Sequence, residues 1–324
     1  MADYRMIVRA KGGPEVIERE EIAVPAPAAG EAIVRQAAIG LNFIDVYYRQ
    51  GLYPAEMPLC LGAEGAGVVE SVGAGVAGVK AGDRVAYAGG LSGAYATVRA
   101  LPADLLVPLP DGIAVETAAA VMLKGMTADM LVGECGQVKA GDIVLVHSAT
   151  GGVGALLVRW IKALGGIVIA HVGSAEKAER ARAAGADHAL HCAYDILADE
   201  VRALTDGHGA DLVLDGVGAD SWKASLASTA RRGLMVTYGN ASGPVPSFSP
   251  LELRNGSLFL TRPAVWDYVD SRARLLASAG RVFQGIEEGV LQPEIGQRFA
   301  LADAANAHRA LEARQTRGST VLIP

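Results

Sequence analysis

Residues 147–165 read HSATGGVGALLVRWIKALG, and the reading of this stretch decides the fold. An apolar run, DIVLVHSA (142–149), leads into it, and an amphipathic run, VGALLVRWIKALG (153–165), leaves it and stops at Gly165. A buried strand that turns through glycines into a helix is the opening of a βαβ unit. The helix N–H groups at such a turn face whatever lies over the strand end, and they favour phosphate. The dinucleotide pattern G-x-G-x-x-G gives its glycines separate tasks: a tight turn, close approach to the pyrophosphate, and close packing of helix on strand. With Gly151 and Gly154 as second and third, Ala149 stands in the first place, where a small side chain challenges only the turn. Residues Ala149, Thr150, Gly151, Gly152, Val153 and Gly154 form the candidate cofactor loop. No Gly-Lys-Ser/Thr follows, so this is not the phosphate loop of an NTPase.

The pattern continues outward. GIVIAHV (166–172) is a second strand, SAEKAERARAAG (174–185) a Ser-capped helix, and ADLVLDGVG (210–218) a further strand. DSWKASLASTA (220–230) is the next helix and GLMVTYGN (233–240) the next strand. Short apolar runs alternating with amphipathic helices predict a doubly wound parallel sheet. An NAD-preferring site puts an acid at the end of the second strand to hold the ribose 2′-hydroxyl. Here Gly173 and Ser174 stand there, with Lys177 just beyond; Ser174 and Lys177 can donate to a 2′-phosphate, so NADPH is expected over NADH.

Upstream, the texture differs. Residues 1 to about 110 carry short alternating stretches such as EAIVRQAAI and DRVAYAG between Gly- and Pro-rich turns, which predicts a β-rich module. DGIAVETAAAVMLKGMTADMLV (111–132) reads as one or two helices. After Pro250 come the strand-like GSLFLT, helical segments and a closing STVLIP, a piece too short for its own domain that is expected to complete the first module.

Composition narrows the chemistry. A formal charge of −6 argues against a general nucleic-acid binder. Three widely spaced cysteines, Cys60, Cys135 and Cys192, suit a reducing cytoplasm rather than a disulfide framework. Neither a signal-peptide core nor an apolar run of roughly 18 residues is present, so a cytoplasmic protein without a membrane span is expected. No C-x-x-C occurs, the six histidines all lie from His147 onward, and DHALHC (187–192) is the one stretch with metal-like chemistry. A partly exposed structural stretch is the simpler reading of DHALHC, and metal-free hydride transfer is what remains.

KGGPEVIE, IGLNFIDVYYRQGLYP, LGAEGAGVVESVG, AGDRVAY, AAAVMLKGMTA, GGVG, RRGLMVTYGN and GSLFLTRP fall in the order, and over nearly the whole chain, of a known family. The sequence resembles quinone oxidoreductase, the zinc-free, ζ-crystallin-like branch of the medium-chain dehydrogenase/reductases. The resemblance implies an α/β protein with a GroES-like β-rich catalytic domain, residues 1–124 and 268–324, and a Rossmann NADP(H)-binding domain, residues 125–267. It also implies a homodimer. Zinc-dependent relatives have Gly-His-Glu where this chain has Gly62, Ala63 and Glu64, so no zinc is expected. Asn42, Asp45 and Tyr47 would shape the nicotinamide site, while Tyr53 and Lys124 would contact substrate or polarise its oxygen. Thr127 and the strand end Tyr238, Gly239 and Asn240 would border the cofactor, and Arg314 would join Ser174 and Lys177 at the 2′-phosphate. Many relatives carry Asn-Tyr where this chain has His191 and Cys192, with Tyr194 two positions late. The implied reaction is reduction of a quinone or similar conjugated carbonyl in the cleft between domains. An enone reductase and a weakly catalytic NADPH-binding structural or regulatory protein are the alternatives.

Overall fold

Periodic burial divides the described residues into sixteen strands and eight α-helices. In order these are β1 (Tyr4–Val8), β2 (Ile17–Glu21), β3 (Glu31–Leu41), α1 (Phe43–Gln50), β4 (Leu59–Cys60), β5 (Glu64–Val72), β6 (Arg84–Ala88), β7 (Val98–Pro102), β8 (Val107–Pro108) and α2 (Val115–Met130). There follow β9 (Ile143–His147), α3 (Gly152–Ala163), β10 (Ile167–His171), α4 (Ala175–Ala183), β11 (His188–Leu190), α5 (Tyr194–Leu204), β12 (Ala210–Asp215), α6 (Trp222–Ser228), β13 (Thr229–Thr237) and β14 (Phe259–Thr261). The chain closes with α7 (Arg272–Glu287), β15 (Ile295–Ala300), α8 (Ala304–Glu312) and β16 (Ser319–Ile323). The computed structural model describes residues 2–24, 26–89 and 92–324. It comprises two compact units, one of Met1–Met126, Val269–Glu287 and Pro293–Pro324, the other of Thr127–Tyr268 and Glu288–Gln292.

The first unit is built on a seven-stranded sheet, β15-β16-β3-β5-β6-β8 with β7 also on β3, and a three-stranded sheet, β2-β1-β4. The C-terminal strand β16 pairs antiparallel with β3, Val321 opposite Gly40. The β3–β5 ladder shifts register twice, between Ile33 and Val34 and between Gln36 and Ala38, and such bulges curve a sheet around its core. Gly67 lies at that bend, where a Cβ would overlap the Arg35 carbonyl. Met6, Val34, Ile39, Leu61, Val85, Tyr87 and Leu322 fill the interior.

The second unit holds a six-stranded, all-parallel sheet in the order β11-β10-β9-β12-β13-β14. Strand order reverses between β9 and β12, and in such sheets ligands bind beyond the carboxyl ends of the strands at that reversal. The strands are apolar on both faces because helices cover both. Leu145, Ile169, Val213 and Met235 pack with Leu197 of α5 and Trp222 of α6. Strand β13 begins at Thr229, four residues earlier than the sequence pattern predicts, because α6 stops at Ser228 and the Thr229 hydroxyl closes it by donating to Ser225 O at 2.8 Å.

Asp215, at the end of β12, is fully buried. Its carboxylate accepts from Val217 N–H (2.8 Å), Gly218 N–H (3.2 Å), the Ser221 hydroxyl (2.7 Å) and the Ser225 hydroxyl (2.6 Å), which fixes the turn after β12. Ser228, nearby on α6, has a buried hydroxyl with no hydrogen-bond partner among the described residues. The two sites should respond oppositely to alanine. Asp215→Ala orphans several buried donors and is expected to cost about 3 kcal/mol or more, whereas Ser228→Ala is expected to be neutral or slightly stabilising. Urea unfolding midpoints at unchanged slope check both.

Candidate active site and cofactor loop

In the first unit, the segment NFIDVYYRQG folds as α1 because Asn42 takes an extended N-cap conformation and Gly51 ends the helix in the left-handed region, at φ 80°. Asp45, at the third helical position, reaches back to accept the Asn42 backbone N–H at 2.9 Å, the return half of a capping box. Tyr47 is buried, and its ring meets Tyr53 edge-on at 5.3 Å between centroids; Tyr48 packs on Tyr53 at 5.8 Å. Asn42, Asp45, Tyr47 and Tyr53 are thus brought together on and beside one short helix.

The centre of this cluster is Glu64, whose side chain is completely buried at the start of β5. Its Oε1 accepts from the Asn42 amide at 2.7 Å and from the Lys124 ammonium at 2.7 Å, and its Oε2 accepts from Leu123 N–H at 2.6 Å. The carboxylate occupies the space that a Cβ on Gly40 would need. Lys124 is itself 6% exposed, so its charge is held at a fixed point by a buried partner. Such a pair persists only when its remaining hydrogen-bonding capacity is met, as it is here for Glu64.

Asp45 is also wholly buried, and its Oδ1 has no partner among the described residues. Burial pushes its carboxyl up to about 7, and the nearby Glu64 adds to this. The Asn42 N–H and the Tyr95 hydroxyl, which donates to Oδ2 at 3.1 Å, pull the other way, as does Lys124.

In the second unit, α3 begins at Gly152 with Gly151 as N-cap and no side chain capping it. The tight turn is made by Ser148, which sits in the left-handed region at φ 50°. Ala149 therefore has no need to be glycine; the turn task expected at its position has moved one residue back. A Cβ on Gly154 would overlap Ser148 O and come within 2.9 Å of the Ala149 Cα, so the third-glycine task of close packing stands where expected. Thr150, Gly151, Gly152 and Val153 lie between, around the uncapped helix start. An open, uncapped N-terminus lined by glycines suits a pyrophosphate. Ser174 caps α4, its oxygen accepting Lys177 N–H at 3.2 Å, which leaves the hydroxyl proton to donate.

Tyr238, Gly239 and Asn240 follow the end of β13. Tyr238 N–H donates to Asp215 O at 2.8 Å, and Arg262 donates to Thr237 O at 3.0 Å and Gly239 O at 2.9 Å, so the strand end is anchored on both sides. Gly239 has no room for a Cβ against the Gly216 carbonyl. Tyr194, at the start of α5, packs its ring on His171 at 5.1 Å and His147 at 6.0 Å, and His171 Nε2 donates to Cys192 O at 3.0 Å. Burial pushes His147 down to about 4 and lowers His171. Thr127 lies one turn beyond Lys124 on α2. Arg314 follows α8 in the first unit with φ 57°.

Residues 152–266 match the zinc-binding dehydrogenase family, and residues 28–111 match the alcohol dehydrogenase GroES-like domain. The chain is 49% identical to a quinone oxidoreductase of Pseudomonas aeruginosa, over 99% of both chains. The chain belongs to the quinone oxidoreductase family. An Escherichia coli quinone oxidoreductase, solved as its complex with NADPH, superposes with a TM-score of 0.96 at 41% identity, covering 99% of this chain and 100% of that one. A 2-haloacrylate reductase of a Burkholderia species is 40% identical over 98% of both chains. The parallel six-stranded sheet is the Rossmann half of this family's fold, and the GroES-like match lies within the β-rich unit.

Set in the quinone oxidoreductase family, the residues to which the sequence assigned no role in the site are Glu64, Ser148 and Arg262. Glu64 left a signal: an acid between glycines in the otherwise apolar LGAEGAGVV must find a buried partner. Ser148 and Arg262 left none, since both act on backbone. Among the described residues, no group of three or more His, Cys, Asp or Glu is placed to hold a metal.

Asp45 gives a pH prediction. Its carboxyl titrates near 3.8 when unfolded and about 7 when folded, so the native state binds the proton more tightly and stability falls as pH rises through this window. Asp45→Asn removes the effect. The unfolding midpoint of the variant, relative to wild type, is expected to improve from about pH 4 to pH 7 and to level off above. A pH-independent difference would contradict the assignment.

Proposed function

We propose that this NADPH-dependent oxidoreductase reduces quinones by direct hydride transfer, without a metal. The observation that carries the reading is the buried Lys124, pinned with Asn42 by Glu64. It supplies an ammonium held at a fixed point in the same unit as the aromatic pair Tyr47 and Tyr53, a setting suited to holding and polarising an electron-poor carbonyl. NADPH, when bound, supplies the hydride. Gly151, Gly152 and Gly154 would hold its pyrophosphate, and Tyr238, Gly239, Asn240 and Thr127 would border the rest. A quinone accepts the charge into its own conjugation and solvent can protonate the product, so the chain's task is positioning, exclusion of water and modest polarisation.

Ser174 and Lys177 support NADPH over NADH, because no carboxylate stands at Gly173 or Ser174 to repel a 2′-phosphate. Arg314 is assigned to the same phosphate. Residues 1–124 and 268–324 are assigned to the catalytic domain and 125–267 to cofactor binding. We assign the protein to the cytoplasm on its three unpaired cysteines; among the described residues, no helix is long and apolar enough to cross a membrane. A homodimer is proposed on the family likeness and on Phe259, 61% exposed on the edge strand β14. The similarity to a 2-haloacrylate reductase favours a second reading, reduction of a conjugated C=C bond by the same donor.

NADPH oxidation with 1,4-benzoquinone, 9,10-phenanthrenequinone and a simple enone separates these readings. Both quinones are expected to support turnover and the enone to be slower. Turnover with the enone alone would establish the second reading, and tight NADPH binding without any turnover would leave a binding protein. Replacing Ser174 and Lys177 together by alanine is expected to raise the Kd for NADPH about tenfold or more, with NADH binding little changed. Fluorescence titration with both nucleotides checks this.

A further inference from the structure

Behind Asp45, in the same unit, lies a chain of buried polar groups that is hydrogen-bonded to the Glu64 cluster through Asn42. Arg49 of α1 is completely buried. Its Nε donates to Gly12 O at 3.1 Å, its Nη2 to Glu312 Oε1 at 2.8 Å, and its Nη1 lies 2.9 Å from His308 Nδ1. His308 Nε2 lies 3.0 Å from the Tyr95 hydroxyl, which lies 3.1 Å from Asp45 Oδ2.

Chemistry fixes the direction of every link. A guanidinium has donors only, so His308 Nδ1 must accept from Arg49. The neutral ring then carries its proton on Nε2 and donates to Tyr95. Burial, with Arg49 alongside, pushes His308 down to about 3 and keeps it neutral. The single proton of Tyr95 is left for Asp45. The order is therefore Arg49 to His308 to Tyr95 to Asp45, with each proton assigned and none reversible without breaking the Arg49 contact.

The chain ends in two carboxyls, Glu312 and Asp45, each with one oxygen, Oε2 and Oδ1, buried without a partner among the described residues; of the two, only Asp45 also accepts, at Oδ2, the N–H of Asn42 from the Glu64 cluster. Orphaned buried oxygens cost stability and call for a reason. We infer that Tyr95 and His308 are positioning residues of the reduction, passing the donor direction set by Arg49 on to Asp45 so that its carboxyl keeps the Asn42 turn, and with it the Glu64–Lys124 pair, in place.

This inference rests on the proposed function for its kinetic consequence, though not for its electrostatic one. The groups facing Asp45 are Glu64 from β5, Lys124 from α2, Tyr95 from the segment before β7, and Tyr48 on its own helix, with His308 of α8 and Arg49 acting through Tyr95. The Tyr95 hydrogen bond favours the ionised carboxyl. Weakening it must move the Asp45 titration to higher pH.

The test is carboxyl ¹³C NMR titration of the full chain, with Asp45 assigned by its absence in Asp45→Asn, alongside kcat and KM for 1,4-benzoquinone and Kd for NADPH. Tyr95→Phe and His308→Leu are expected to raise the Asp45 midpoint by about half a pH unit or more. They should lower kcat about fivefold or more, with the Kd for NADPH unchanged. His308→Gln, whose amide can accept from Arg49 and donate to Tyr95, is expected to keep the wild-type midpoint and most of kcat. An unmoved Asp45 midpoint in Tyr95→Phe, or His308→Gln behaving as His308→Leu, would overturn the inference; so would a loss of thermal stability alone, with kcat intact. If His308→Leu fails to fold, Tyr95→Phe and His308→Gln decide. If wild type turns over no quinone, the proposed function fails while the titration still judges the chain.

Discussion

A carboxylate with no exposure to water must be fully solvated by the protein, and the β-rich unit is arranged to do this for Glu64. Its three donors come from three places: the N-cap of α1, the ammonium of Lys124, and the backbone N–H of Leu123 one residue earlier on α2. Gly40 on β3 leaves the space that the carboxylate fills. The registers of β3 and β5, the start of α1 and the position of α2 are thus coupled through one side chain. Removing the charge would release all of them together.

The candidate sites of the two units are built by different means. In the parallel-sheet unit the candidate site is made of backbone: the left-handed turn at Ser148, the uncapped start of α3, and the strand end tied down by Arg262. Gly154 and Gly239 are required there because a Cβ would meet main-chain atoms. In the β-rich unit the candidate site is made of side chains, and its precision comes from buried hydrogen bonds around Glu64 and Asp45. A backbone cradle binds groups that every nucleotide of the class shares. A side-chain cluster can polarise one particular acceptor.

This difference also explains what the sequence made legible. The glycine turn follows local rules, so the βαβ alternation and the glycine spacing predicted its strand-turn-helix geometry within residues 142–240. Only the residue making the turn differed, because left-handed geometry at Ser148 depends on the loop's path and not on its composition. The side-chain cluster does not follow local rules. Glu64 finds Asn42 22 positions away and Lys124 60 positions away, and Tyr95 finds His308 across 213. The family likeness singled out Asn42, Asp45, Tyr47 and Lys124 as a set. It used Glu64 only to argue against zinc, and gave no sign that this residue holds two of them together.

If the Glu64–Lys124 pair acts as one unit in polarising the acceptor, its members cannot be removed independently. The decisive measurement is a double-mutant cycle in kcat/KM for 1,4-benzoquinone, using Glu64→Gln, Lys124→Met and both together. Each single change should lower kcat/KM about tenfold or more, and the double variant should be no worse than the more damaging single. Losses that simply multiply, or a Lys124→Met enzyme with wild-type kcat/KM, would contradict the account.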